Sequence, residues 1–202
     1  KYSSKSTKFI FMSSSEIYGN PDKNNVPTNE NFKGYVSSQG PRACYDESKR
    51  LGETLCSIFY NHNNLHTNVI RPFNVYGPGM KKFDYRVLPN FFNAIKNGEP
   101  IKVYGTGSQT RTFCYITDFI EGVLRVAALG LPGATYNIGM DKEEISMNDL
   151  AKKIAKILKK KLIIHNIEYP DSYPTDEPLR RCPDLTKARK QLNYKPKIYL
   201  NE

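Results

Sequence analysis

Two short apolar runs flank a segment with helical period, and that triplet constrains this chain more than any other feature. Lys8 to Ser13 reads Lys-Phe-Ile-Phe-Met-Ser, and Thr67 to Arg71 reads Thr-Asn-Val-Ile-Arg. Between them Leu51, Leu55, Ile58 and Phe59 recur three and four apart, which predicts a helix that carries Tyr45 and runs to about His62. A strand, a helix and a second strand in that order imply a parallel α/β sheet. The first run is expected to be a buried parallel strand whose C-terminal end opens onto a crevice, the usual ligand position in such sheets.

The helix opens with Gly40-Pro41-Arg42-Ala43-Cys44-Tyr45-Asp46-Glu47-Ser48-Lys49-Arg50. Tyr45 and Lys49 lie four apart and so share a helix face. A free tyrosine, titrating near about 10, is a poor base at neutral pH. An ammonium beside it favours the ionised phenol and makes it a usable one. A Tyr-x-x-x-Lys spacing also arises by chance, with the tyrosine packed and the lysine solvated. Ser13-Ser14-Ser15-Glu16 at the end of the first run offers hydroxyls and a carboxylate, either as a hydrogen-bonding site or as a turn with a helix cap.

From about Tyr85 the elements become shorter and mixed. Helices are expected over Val87 to Ile95, from Thr117 or Asp118 as cap through Leu129 with Phe119, Val123, Val126 and Ala127 inward, and over Leu150, Ile154, Ile157 and Leu158 after a Ser146/Asp149 capping box. Asp184 is expected to cap a last helix, Leu185 to Leu192. Strands are expected at Ile101 to Tyr104, Thr112 to Ile116, Tyr136 to Ile138 and Leu162 to Ile167. The predicted division is 1–84 for the sheet with the Tyr45 helix and 85–202 for a smaller lobe. With 202 residues, 39% hydrophobic, there is material for one sizeable core and such a lobe.

Composition narrows the function classes. The net charge is +10, but the basic residues are scattered, with one cluster at Lys159-Lys160-Lys161 and no nucleic-acid motif. A solvated basic face or an anionic small substrate accounts for it. Cys44, Cys56, Cys114 and Cys182 are far apart and lack metal-ligand spacing, so reduced thiols and no metal are expected. His62 and His66 fall in a polar turn and are expected to be exposed. No apolar run has membrane-span length and no leader-like segment opens the chain, so a cytoplasmic location without membrane contact is expected. No strand is followed by Gly-x-Gly-x-x-Gly and a helix; Gly105-Thr106-Gly107 reads as a hairpin-type turn. The chain is therefore expected to be the C-terminal part of a larger enzyme that begins with roughly one hundred further residues.

Five blocks in order carry a resemblance: 13–19, 40–50, Arg71-Pro72-Phe73-Asn74-Val75-Tyr76-Gly77-Pro78, Val103 to Phe113, and Arg180-Arg181-Cys182-Pro183-Asp184-Leu185. Together they resemble the extended short-chain dehydrogenase/reductases that act on nucleotide sugars, over nearly the whole chain. Ser15-Glu16, the Gly40 to Glu47 run and Arg181-Cys182-Pro183-Asp184 are most like the branch that decarboxylates UDP-glucuronate; Ser48, where that branch usually has glycine, departs from it. The resemblance implies the second half of a Rossmann-like parallel sheet with a smaller α/β substrate lobe, NAD as cofactor, and a homodimer through the Tyr45 helix. It implies that Tyr45 and Lys49 handle the proton and hold the nicotinamide ribose. Ser14 would share a hydrogen bond with the sugar 4-oxygen, and Ser15 and Glu16 would orient the ring. Arg181 would place the carboxylate, Arg111 grip the diphosphate, Tyr104 lie against uracil and Asn74 bind a phosphate oxygen or the base. A 4-epimerase, a 4,6-dehydratase and an inactive remnant without the glycine-rich loop are the alternatives. In eukaryotic relatives a Golgi lumen location is also implied.

Overall fold

The computed structural model describes residues 7–81, 84, 86–169 and 178–201. In chain order its elements are β1 (Lys8–Met12), α1 (Ala43–Asn63), β2 (His66–Pro72), β3 (Val75–Tyr76), α2 (Val87–Asn97), β4 (Ile101–Tyr104), β5 (Thr110–Arg111), β6 (Cys114–Tyr115), α3 (Ile116–Leu129), β7 (Thr135–Ile138), β8 (Ile145–Ser146), α4 (Met147–Leu158), β9 (Ile164–Ile167), β10 (Arg180–Arg181) and α5 (Thr186–Leu192). A 3-10 turn at Ser15–Tyr18 follows β1.

The expected strand–helix–strand unit is present. β1 runs parallel to β2 with Phe11 opposite Val69, and β2 runs parallel to β7 with Ile70 opposite Tyr136. The order β1-β2-β7 gives a three-stranded sheet. On one face Phe11 meets α1 at Gly52, where an added Cβ would lie 2.1 Å from the ring. On the other, Ile10 joins a core of Ile70, Val126, Tyr136, Ile138, Leu185, Leu192 and Tyr194 built with α3 and α5. A second core joins α2, β4 and α4 through Phe91, Ile95, Ile101, Val103, Leu150 and Ile154. β7 falls in the range assigned to the smaller lobe yet completes the main sheet, so a cut at residue 84 does not follow the strands.

Several expectations are corrected. β1 is the edge strand and is not buried on both faces: Phe9 is 55% exposed. No expectation is overturned at Leu51, Leu55, Ile58 and Phe59, which gave α1 its period: they face solvent in the single chain, while the helix buries Asp46 and Cys56. Asp118 caps nothing; buried inside α3, it accepts the backbone N–H groups of Lys197 and Ile198 at 2.7 and 2.8 Å. Ala127 and Ile157 are exposed, because α3 and α4 each bury a narrower stripe than their composition offers. His66 is half-buried at the start of β2. Gly105 and Gly107, at φ 61° and 71°, do not close a hairpin. They carry the chain from β4, paired with β9, to β5, paired with β8 and β10. The cap at Ser146 forms, its Oγ accepting from Asp149 N at 3.1 Å; at α5 the N-cap position is Leu185, and Asp184, one residue ahead, accepts from Thr186 N at 2.8 Å. Among the described residues no helix is long and apolar enough to cross a membrane.

Candidate active site

The site begins where β1 ends. Ser13 N extends the ladder to Ile70 O at 2.8 Å, and its hydroxyl donates to Glu53 of α1. Ser14 is extended, and its Oγ accepts from Glu16 N at 3.2 Å, which caps the 3-10 turn. Ser13, Ser14 and Ser15 are all buried. Gly19 closes the turn at φ 62°, where an added Cβ would lie 2.0 Å from the Tyr35 carbonyl oxygen. The cap reading of this segment is thus realised, and it fixes where Glu16 emerges.

A buried polar chain holds that turn from below. Arg71, at the end of β2, donates from Nε and Nη2 to Glu53 at 2.9 and 2.6 Å. Its Nη1 donates to the Tyr18 hydroxyl at 2.7 Å, and Tyr18 donates to Asn137 Oδ1 at 2.7 Å. Burial pushes the Tyr18 phenol well above its ordinary range. A paired arginine with bidentate geometry stabilises such a network where an unpaired one would not.

Tyr45 and Lys49 do share a face of α1. Lys49 Nζ lies 5.6 Å from the Tyr45 ring centroid and 5.5 Å from that of Phe11, and donates to Met12 O at 3.0 Å. The ammonium is thereby held at the C-terminal end of β1. Tyr45 is 45% exposed beside it. A solvent-accessible phenol and a tethered ammonium at a strand end fit the nicotinamide-ribose end of a dinucleotide. Ser48, the departure noted above, bonds back to Tyr45 O at 2.7 Å and stays local to the helix.

Beyond Glu16 a cavity of about 590 Å³ opens between the sheet and the second core. Glu16, Asn74, Tyr104, Arg111 and Arg181 line it; Ser14, Ser15, Tyr45 and Lys49 do not. Arg42, Arg86 and Lys102 also line it, so cations outnumber the carboxylates of Glu16 and Asp84 along the wall. The parallel register sets Arg181 of β10 beside Arg111 of β5, both buried. Glu16 is ion-paired with Arg181, whose Nη2 donates at 2.8 Å, and with Arg42. Burial works against its ionisation, but Arg181 and Arg42 outweigh that and hold its carboxyl below the usual carboxylate range. Tyr104 stacks on Tyr169 with ring centroids 5.4 Å apart. Asn74 sits at φ 37° and donates to Thr112 O at 3.0 Å, a turn residue and a wall residue at once. Arg180 is a strut, bidentate to Glu144.

The motif reading left Arg42 without a role and passed over Arg86, Lys102 and the Glu53–Arg71–Tyr18 chain. For Arg42 a signal existed: it precedes Tyr45 by three residues and so points to the same side of the helix start. For Arg86 and Lys102 there was none.

The chain is similar to known proteins in sequence and in fold. The chain is 36% identical over 195 residues to UDP-glucuronic acid decarboxylase 6 of Arabidopsis thaliana, covering 96% of this chain and 54% of that protein. It is 35% identical to UDP-glucuronic acid decarboxylase 1 of Danio rerio, covering 96% and 45%. The chain thus spans about half the length of the curated relatives it matches. Among solved structures it superposes on a UDP-glucuronic acid 4-epimerase from Bacillus cereus, in complex with UDP-glucuronic acid and NAD, with TM-score 0.79 and 28% identity, covering 98% of this chain and 60% of that one. A dTDP-glucose 4,6-dehydratase from Streptomyces venezuelae with NAD bound shares the fold, at TM-score 0.81 and 21% identity. The model of the NAD dependent epimerase/dehydratase family matches residues 1–139. With its parallel sheet, its paired phenol and ammonium and these relatives, the chain belongs to the NAD dependent epimerase/dehydratase family.

Proposed function

We propose that this chain forms the proton-handling and substrate-holding part of an enzyme that converts UDP-glucuronate to UDP-xylose through a 4-keto sugar. The observation that carries the reading is the cation-rich cavity, in which Glu16 is shared by Arg42 and Arg181. Its similarity in sequence to the UDP-glucuronic acid decarboxylases of Arabidopsis thaliana and Danio rerio supports it.

Tyr45 takes the proton of the sugar 4-hydroxyl, and Lys49, tethered to Met12 O, keeps a positive charge beside the phenol. NAD⁺, when bound, supplies the acceptor for the C4 hydride. The sugar is then a β-keto acid and loses carbon dioxide, its electrons passing into an enolate. Ser14 steadies the 4-oxygen and Ser15 and Glu16 orient the ring while C5 takes a proton from water; return of the hydride to C4, with Tyr45 giving its proton back to the 4-oxygen, completes the pentose and leaves no net oxidation. Arg181 places the carboxylate as a bidentate partner. Arg111 holds the diphosphate, while Tyr104 and Asn74 serve the uracil end. The described range 7–81 carries the chemistry and the range from 86 onward most of the substrate wall. The exposed Leu51, Leu55, Ile58 and Phe59 of α1 form one half of a dimer contact.

The full-length protein incubated with UDP-glucuronate and NAD⁺ is expected to release carbon dioxide and a UDP-pentose. Tyr45→Phe is expected to lower turnover by about 10²- to 10⁴-fold. A second reading, 4-epimerisation, is favoured by the likeness to the Bacillus cereus epimerase. UDP-galacturonate in place of the pentose would establish it and remove the first.

A further inference from the structure

Arg42 stands where three parts of the site meet. It immediately precedes α1, with helical φ −95° and ψ −14° and no side-chain cap. Its guanidinium is ion-paired with Glu16 on one side and lies 3.6 Å from Asp46 on the other. Beyond Glu16 comes Arg181. Charges therefore alternate along Asp46, Arg42, Glu16 and Arg181, and two guanidinium groups converge on one carboxylate. The side chains of Arg42 and Arg181 are 34% and 8% exposed, and both line the cavity.

Two converging guanidinium groups need an anion between them, since each carries a fixed charge and a fork matched to carboxylate oxygens. Glu16 supplies it here. Of the two partners of Glu16, Arg42 cannot leave cheaply: Asp46 is 6% exposed, its Oδ1 has no hydrogen-bond partner, and Arg42 is the cation beside it. Withdrawing Arg42 would strand a buried carboxylate. Glu16, on a short 3-10 turn, is the member that can yield its place.

We infer that Arg42 is a specificity-determining residue: with Arg181 it forms a two-armed carboxylate receptor, filled by Glu16 in this structure, which the acidic group of the sugar takes over on binding. The inference rests on the substrate class proposed above. It adds a second arm and a resident anion that the substrate must displace.

Calorimetric titration of the full-length protein with UDP-glucuronate, UDP-glucose and UDP tests it. The two sugars differ in a carboxylate against a hydroxymethyl group, and UDP reports the nucleotide end alone. The parent protein is expected to prefer the acidic sugar by about tenfold or more, the order of one charge-assisted contact. Arg42→Gln is expected to bring the two sugars within about threefold of each other and leave UDP binding unchanged. Arg42→Lys, which keeps the charge without the fork, is expected to fall between, and it carries the test if the glutamine variant does not fold. Retention of the full preference in both variants, or an equal loss for all three ligands, overturns the role of Arg42 and leaves the proposed substrate standing. Absence of any preference in the parent removes both.

Discussion

Glu16 owes its charge to residues far from it in sequence. Its carboxyl is held below the usual range, so its contribution to stability is fully present above an unfolded value of about 4.5 and is lost as pH falls through the lower folded value. Glu16→Gln is therefore expected to unfold at lower urea than the parent at pH 7, by about 1–3 kcal/mol, with the gap closing below about pH 4.5. Unfolding curves at pH 7 and pH 4 check the sign. Ser14, Glu16, Tyr45 and Lys49 could be singled out as candidates because each sits in a compact local block. The partners of Glu16 could not be read, since Arg42 and Arg181 lie 26 and 165 positions away. The same holds below the turn, where Glu53 and Arg71 form a bidentate pair with side chains 14% and 10% exposed. Glu53→Ala leaves that guanidinium buried beside Tyr18 and is expected to cost about 3–5 kcal/mol in a urea titration.

At the scale of elements, legibility followed length. α1, α2, α3 and α4 and the strands β1 and β2 carry a period or an apolar run long enough to read, and the Ser146 cap is local chemistry. The pairs β5 with β10 and β5 with β8 are two residues long, too short for any period, and only tertiary contact forms them. Apolar period told of a helix at α1 without telling which way it faced; the helix buries Asp46 and Cys56, and the leucines point outward. Glycine in α3 shows the reverse case. Gly122 reads as a weakness in a helix, yet an added Cβ there would lie 2.4 Å from Ile138 Cγ2 and 3.1 Å from the Tyr194 ring, both fully buried. Gly122→Ala is expected to lower stability by about 1–3 kcal/mol through overpacking, more than the roughly 1 kcal/mol that alanine gains as a helix former. Thermal unfolding of the variant measures the balance.

For the molecule as a whole, the exposed stripe Leu51, Leu55, Ile58 and Phe59 is a departure from an ordinary helix surface. If α1 meets a second copy there, Leu55→Glu with Ile58→Glu is expected to shift the sedimenting species toward the monomer at micromolar concentration. An unchanged mass would remove the dimer. The sheet itself has a further consequence. Its middle strand, β2, stays open on one side until β7 arrives some sixty residues later, after α2 and β4 of the other core and α3 of its own have been made. A nascent chain halted before Thr135 would thus present a bare strand edge to the ribosome surface and its chaperones.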